Sequence, residues 1–212
     1  MIIVEPNWKS YLVETTSPVF TPEQCEIISR VGRSMPAQKA EVGGAKGGEY
    51  NTKTRLSHIS WIPFENVETK PMYSILEDLM HKTNRRHFGF ENMQITEQAQ
   101  YTEYPEGGFY DWHMDCDLIM KKEPPVRKIS MTLILSPDGD YEGGGLELSQ
   151  QGKVLNPKQG HAIFFASFIN HRVVPVTKGL RKSLVMWFGG GGAGQGGVSG
   201  AGGPLDRDWE TK

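Results

Sequence analysis

Apolar positions in the N-terminal part of the chain recur at helical spacing, and beyond Phe90 they alternate with polar ones in short runs. Within residues 1–20, Tyr11, Leu12 and Val13 form the apolar part of a short strand or extended lead-in. Thr21, Pro22 and Gln24 then have the chemistry of a helix start. The Thr21 hydroxyl can cap, Pro22 suits the first helical position and Gln24 completes a capping box. This helix is expected to run to about Gly32 and to bury Cys25, Ile28 and Val31. Arg55–Trp61 alternates as a strand. Pro71 opens a second helix, whose stripe of Met72, Ile75, Leu76, Leu79 and Met80 is a core face. From there, turn residues separate short β segments at 94–104, 127–135, 145–149, 161–168, 171–176 and 181–188. Two helices followed by about eight short strands predict a mainly β (α+β) fold, a double-stranded β-helix or jelly roll with supporting N-terminal helices. One domain is expected over residues 1–188, with a helical part at 1–90 and a jelly-roll core at 91–188.

The glycine-rich stretches change this picture locally. Residues 36–54 are charged and lack periodicity, and a loop this long in a compact domain is expected to act as a lid or binding loop, with a disordered connector as the alternative. Residues 189–212 read as a flexible Gly-rich tail, with Trp209 as its only aromatic anchor. The 212-residue length suits one domain with a real core, and the net charge of −2 leaves no basic field to draw in nucleic acid or an anionic membrane. Acidic and polar residues stand too early in the N-terminal segment for a secretory signal, and no apolar run reaches membrane-spanning length, so the expected location is cytoplasmic. Two cysteines, Cys25 and Cys116, are too few for a disulfide framework and fit reduced thiols.

The candidate chemistry is concentrated in the β-rich part. Gln98, Gln100, Thr102 and Tyr104 share one strand face, while Ala99 and Tyr101 share the other. A polar inner face of this kind suits the wall of a polar pocket. A turn at Pro105–Gly108 leads on to Tyr110, His113 and Asp115. On an extended strand, residues two apart point to the same side, so His113 and Asp115 can share a metal. His171 follows a buried-looking strand that would bring a second imidazole to the same depth. Two imidazoles and one carboxylate on one side of a metal, with the other positions open, form the ligand set of a non-haem Fe(II) oxygenase. On the last strand Arg181, Ser183, Val185 and Trp187 share a face, and a hairpin through a tight turn at Thr177–Gly179 is expected to return Arg181 to the pocket. A guanidinium buried there implies an anionic partner, a ligand carboxylate taken bidentately, with Tyr104 adding a hydrogen bond. A lone His-x-Asp arises often by chance, and the reading rests on its conjunction with the distal His, the Arg and the Trp. His58, His81, His87 and His161 lack such company and are read as structural.

At these residues the chain resembles the prolyl 4-hydroxylase branch of the Fe(II)/2-oxoglutarate-dependent dioxygenases. The resemblance is carried by Tyr104-x-x-Gly107-x-x-Tyr110-x-x-His113-x-Asp115, by the strand from Arg127 with Tyr141-x-Gly143-Gly144-x-Leu146, and by His171, Arg181 and Trp187. It implies His113, Asp115 and His171 as Fe(II) ligands, and Arg181 with Tyr104 as the site for the distal carboxylate of 2-oxoglutarate. Tyr110 and Trp187 are expected in the substrate pocket. The implied reaction consumes O2 and 2-oxoglutarate, releases succinate and CO2 and hydroxylates a substrate C–H, with ascorbate keeping the iron reduced. The implied substrate is a proline-containing peptide or protein, with neither nucleic acid nor membrane as partner. Collagen-type members usually carry Lys where this chain has Arg181, which keeps the anion site and weakens a collagen-type substrate. Ser130 and Thr132 lie on the central strand in too loose a motif to assign. The competing readings are an oxygenase acting on another side chain or a small molecule, and a jelly-roll metal-binding module without turnover.

Overall fold

The computed structural model describes residues 10–39, 54–116, 126–149 and 152–190. In chain order the elements are β1 (Leu12–Glu14), α1 (Pro22–Ser34), β2 (Gln38–Lys39), β3 (Arg55–Leu56), β4 (His58–Ile62) and α2 (Lys70–Thr83), which ends in a π-helical turn at Asn84–Phe88. They continue with β5 (Gln94–Ile95), β6 (Ala99–Tyr104), β7 (Phe109–His113), β8 (Val126–Ile134), β9 (Tyr141–Gly143) and β10 (Leu146–Leu148). The last five are β11 (Val154–Leu155), β12 (Ala162–Ala166), β13 (His171–Val173), β14 (Val176–Gly179) and β15 (Arg181–Gly190).

Helix α1 starts where its capping chemistry places it. The Thr21 N–H donates to Gln24 Oε1 at 2.9 Å, and the Gln24 N–H donates to the Thr21 hydroxyl at 3.3 Å. Its inner face is Cys25, Ile28, Ser29, Val31 and Gly32. A Cβ on Gly32 would run into the Tyr101 ring, so the glycine lets the helix lie directly on β6. Ser60 closes the same contact by donating to the Gly32 carbonyl at 2.6 Å. In α2 the buried stripe is rotated from the expected one: Met72, Leu76 and Met80 are buried, whereas Ile75 is 41 % exposed and Tyr73 takes its place. The cause is polar. The Tyr73 hydroxyl donates to the Ile62 carbonyl and accepts from the Ala99 N–H, which fixes the helix rotation.

An eight-stranded antiparallel sheet has the order β1-β12-β8-β15-β6-β4-β2, with β5 on the end of β15; it faces a five-stranded sheet ordered β11-β10-β13-β7-β3, and β14 pairs with β9. This is the jelly-roll architecture with supporting helices. The helices pack on the large sheet over a core that includes Phe88, Phe164 and Phe188, all fully buried. Each such side chain contributes about 1.5–3 kcal/mol of burial energy.

Four further expectations are corrected. Arg55–Trp61 is two strands, because the chain turns at Ser57 and the halves join different sheets. The 94–104 segment is likewise broken, since both the N–H and hydroxyl of Thr96 turn to the Trp187 carbonyl. The segment Thr177–Gly179 is no tight hairpin: it lies in β14, whose pairing with β9 carries the chain from the small sheet to the large one. Gly189 and Gly190 belong to β15, where Gly189 lies so close to the Val126 carbonyl that no Cβ would fit. Strands β2, β7, β9, β11 and β14 add to those expected, and β2 lies within the stretch read as a loop, where Gln38 and Lys39 pair with β4. Most of the 36–54 loop, at 40–53, and the tail from 191 onward lie outside the described residues. Neither Cys25 nor Cys116 is in a disulfide. No helix among the described residues is long and apolar enough to cross a membrane.

Candidate active site

Strands β7 and β13 pair in a register that sets His113 directly opposite His171. Just beyond β7, the N–H groups of Asp115 and Cys116 both donate to the Ser167 carbonyl, at 3.0 and 3.1 Å, and turn the Asp115 side chain back toward the imidazoles. His113 Nε2 lies 3.7 Å from one Asp115 oxygen, and His171 Nε2 lies 3.6 Å from the other. The ligand atoms of the three residues fall within 4.8 Å of one another. In each histidine Nδ1 meets the carbonyl two residues back, that of Asp111 at 2.7 Å and that of Ile169 at 2.9 Å. A proton on Nδ1 leaves the Nε2 lone pair free, the tautomer a metal ligand needs. The carboxylate is oriented in turn: Ser130 donates to Asp115 Oδ2 at 2.7 Å and meets the Ser167 hydroxyl at 2.9 Å.

The electrostatics suit a cation. Burial, with His171 beside it, lowers the His113 pKa to about 4, so the ring is neutral at physiological pH. Burial alone would raise the Asp115 pKa, but the two imidazoles and the Ser130 hydroxyl outweigh it and hold the carboxyl below the usual range. The donor set is two imidazoles and one carboxylate, with no fourth His, Cys, Asp or Glu among the described residues. It fits a divalent ion with open coordination positions.

Opposite this cluster, Arg181 on β15 pairs in register with Tyr104 on β6. It is 2 % exposed, donates from Nη1 to the Ser183 hydroxyl at 3.0 Å and lies 5.2 Å from the Tyr104 ring centre. Its Nε has no partner, and no carboxylate meets it among the described residues. The Gly143-Gly144 pair makes this position possible. Both glycines have positive φ, and a Cβ on Gly144 would stand 2.8 Å from the Arg181 Cδ. Trp187, three pleat repeats along the same face, carries a buried indole N–H that closes no hydrogen bond of normal geometry, although it lies near enough to Asp115 to help hold that carboxyl low. Its ring lies under Arg127, at 3.8 Å, and Arg127 is neutralised by a two-pronged pair with Glu97 at 2.7 Å.

A cavity of about 690 Å³ between the sheets brings together all seven residues singled out in the sequence: Tyr104, Tyr110, His113, Asp115, His171, Arg181 and Trp187. Thr132 also lines it, whereas Ser130 acts on Asp115. His161 is structural, its Nδ1 2.9 Å from the Thr15 carbonyl. Sequence reasoning missed Arg55, which is 6 % exposed on β3 and lines the same cavity. The signal available was Arg55 and Ser57 two apart, a cation and its hydrogen-bond acceptor on one strand face.

The family model described as the 2OG-Fe(II) oxygenase superfamily matches residues 99–189. A PKHD-type hydroxylase of Colwellia psychrerythraea is 44 % identical over 85 residues, which are 39 % of this chain and 38 % of that protein. The chain thus matches about two fifths of the length of such curated relatives. A prolyl hydroxylase from Trichoplax adhaerens, solved with a hypoxia inducible factor oxygen degradation domain peptide fragment, superposes with a TM-score of 0.68 at 19 % identity, covering 85 % of this chain and 84 % of that one. A Pseudomonas putida prolyl-4-hydroxylase superposes with a TM-score of 0.65 at 20 % identity, covering 85 % and 92 %.

Proposed function

We propose, from the match of residues 99–189 to the 2OG-Fe(II) oxygenase superfamily, that the protein is an Fe(II)- and 2-oxoglutarate-dependent hydroxylase of prolyl residues in peptides or proteins. The observation that carries the reading is the pairing of an open two-histidine, one-carboxylate cluster with the buried, carboxylate-free Arg181 in one cavity. A metal-binding module without turnover has no use for Arg181, because a buried cation without an anion is costly. The prolyl substrate is supported by the solved prolyl hydroxylases that share the fold and by the PKHD-type relatives.

In this reading His113 and His171 hold Fe(II) through Nε2, and Asp115 supplies the anionic ligand. Bound iron, with 2-oxoglutarate and O2, supplies oxidation of a substrate C–H, the cosubstrate leaving as succinate and CO2. The protein's own work is orientation and exclusion of water. Arg181 receives the distal carboxylate of 2-oxoglutarate through its planar fork, and the Tyr104 hydroxyl adds a hydrogen bond to it. Ser130 keeps Asp115 ionised and aimed. Tyr110 stacks on His113 with ring centres 3.5 Å apart and shields one side of the ligand set from solvent. Ascorbate is assigned the role of keeping the iron reduced.

The test is turnover of purified protein with Fe(II), 2-oxoglutarate and ascorbate against a panel of proline-containing peptides, following succinate and peptide mass together. One oxygen gained at proline, absent in His113→Ala, is the expected result. Succinate with every peptide unchanged removes the prolyl substrate; no succinate and no metal-dependent 2-oxoglutarate binding removes the oxygenase.

A further inference from the structure

Arg55 is a second buried guanidinium in the cavity, and the mechanism above leaves it without a task. Its Nε donates to the Ser57 hydroxyl at 2.7 Å, its Nη2 to Gln100 Oε1 at 3.3 Å, and its plane lies 4.4 Å from the centre of the Tyr110 ring. All three partners are neutral, and no carboxylate among the described residues pairs with Arg55. The acids that line the cavity are engaged elsewhere, Glu97 with Arg127 and Asp115 with the histidines. A cation desolvated this far among neutral groups is completed by an anion that arrives with a ligand.

Its place in the fold says where that anion sits. Arg55 pairs in register with Tyr110, and Tyr110 stacks in turn on His113. Arg55, Tyr110 and His113 therefore form one column, in which the Tyr110 ring alone separates Arg55 from the candidate metal ligand. Arg181 stands on the other sheet and is assigned to 2-oxoglutarate, so the anion on Arg55 belongs to the substrate. One guanidinium with neutral neighbours matches a monoanion with two coplanar oxygens. A phosphate would call for a further cation, and Arg127 is already neutralised.

We propose that Arg55 is a specificity-determining residue that binds a carboxylate of the substrate a few bonds from the carbon that is hydroxylated. This rests on the hydroxylase reading and sharpens it. The substrate proline either bears its own free α-carboxylate or adjoins an acidic side chain.

The experiment uses two matched peptide pairs, one with Glu or Gln beside the proline and one ending in proline as free acid or amide. Each is titrated anaerobically into full-length protein holding Fe(II) and 2-oxoglutarate, and then assayed for kcat/KM in air. Wild type is expected to favour the charged member of one pair by about 10–100-fold. Which pair shows the preference identifies the source of the carboxylate. Arg55→Met is expected to bring that ratio to about one, and Arg55→Lys to keep part of it, while metal-dependent 2-oxoglutarate binding changes by less than about threefold. Wild type that binds 2-oxoglutarate yet shows no charge preference, or binds neither charged peptide, overturns the proposal alone. A loss of 2-oxoglutarate binding in folded Arg55→Met and Arg55→Lys overturns it by moving Arg55 into the cosubstrate site. Wild type that binds no 2-oxoglutarate overturns it together with the reading beneath it.

Discussion

The two faces of the eight-stranded sheet are built from the same strands and do opposite things. Along β15, Leu184, Met186 and Phe188 enter the core under the helices, while Arg181, Ser183 and Trp187 line the cavity. Along β6, Ala99 and Tyr101 face the helices, and Gln100 and Tyr104 face the cavity. The apolar face stabilises through area and close packing. The polar face leaves the Nε of a buried Arg and a buried indole N–H without a closed hydrogen bond, which costs stability unless a ligand completes them. Stability and chemistry are thus separated by one residue along the chain, and substitutions one position apart should fail in different ways.

The largest effect expected on the cavity side is that of Asp115→Ala. Turnover, followed as succinate, should fall by at least roughly 10³-fold while the protein remains folded, because the metal loses its only anionic ligand. On the core side, Phe188→Ala should cost about 3–5 kcal/mol in denaturant unfolding. The folded fraction should keep its metal-dependent 2-oxoglutarate affinity, and a large loss of that affinity would break the comparison. Ser130→Ala tests the boundary, since Ser130 touches only Asp115 and Ser167 through its hydroxyl. It should weaken metal binding by about 10–100-fold in a chelator competition, with little change in unfolding.

The helix side also has a signature in pH. Burial pushes the Cys25 thiol from 9.0 up to about 11, so the folded state favours the neutral thiol. Its contribution is complete below pH 9 and is lost as pH rises through about 11, roughly 2 kcal/mol in all. Unfolding curves from pH 8 to 11 should show that loss in wild type and a shallower slope in Cys25→Ala. Smallest is Thr21→Ala, which removes the N-cap acceptor of α1 and should lower stability by about 1 kcal/mol in the same measurement.

What the sequence revealed follows the reach of each interaction. The start of α1 was legible because its capping bonds link residues three apart. The two faces of β15 were legible because alternation is local. The metal cluster was legible in its first half, His113 and Asp115 lying two apart; the register that sets His171 against His113 is a pairing between strands nearly sixty residues apart and leaves no local trace. The rotation of α2 depends on where the Tyr73 hydroxyl finds the Ile62 carbonyl and the Ala99 N–H, which helical spacing alone does not encode. Arg55 was hidden for a related reason. An arginine opening a short alternating run looks like a solvated edge residue until the run is seen to divide between two sheets.

That division is made by Ser57 alone, the shortest passage between the five-stranded and eight-stranded sheets. A one-residue link works as the spine of a book. Backbone binds the covers again at 105–108 and 167–170, so the spine is the tightest of several stitches. Arg55 stands beside it, held by Ser57 in the spine itself and by Gln100 on the opposite cover, so its guanidinium is fixed to both sheets at once.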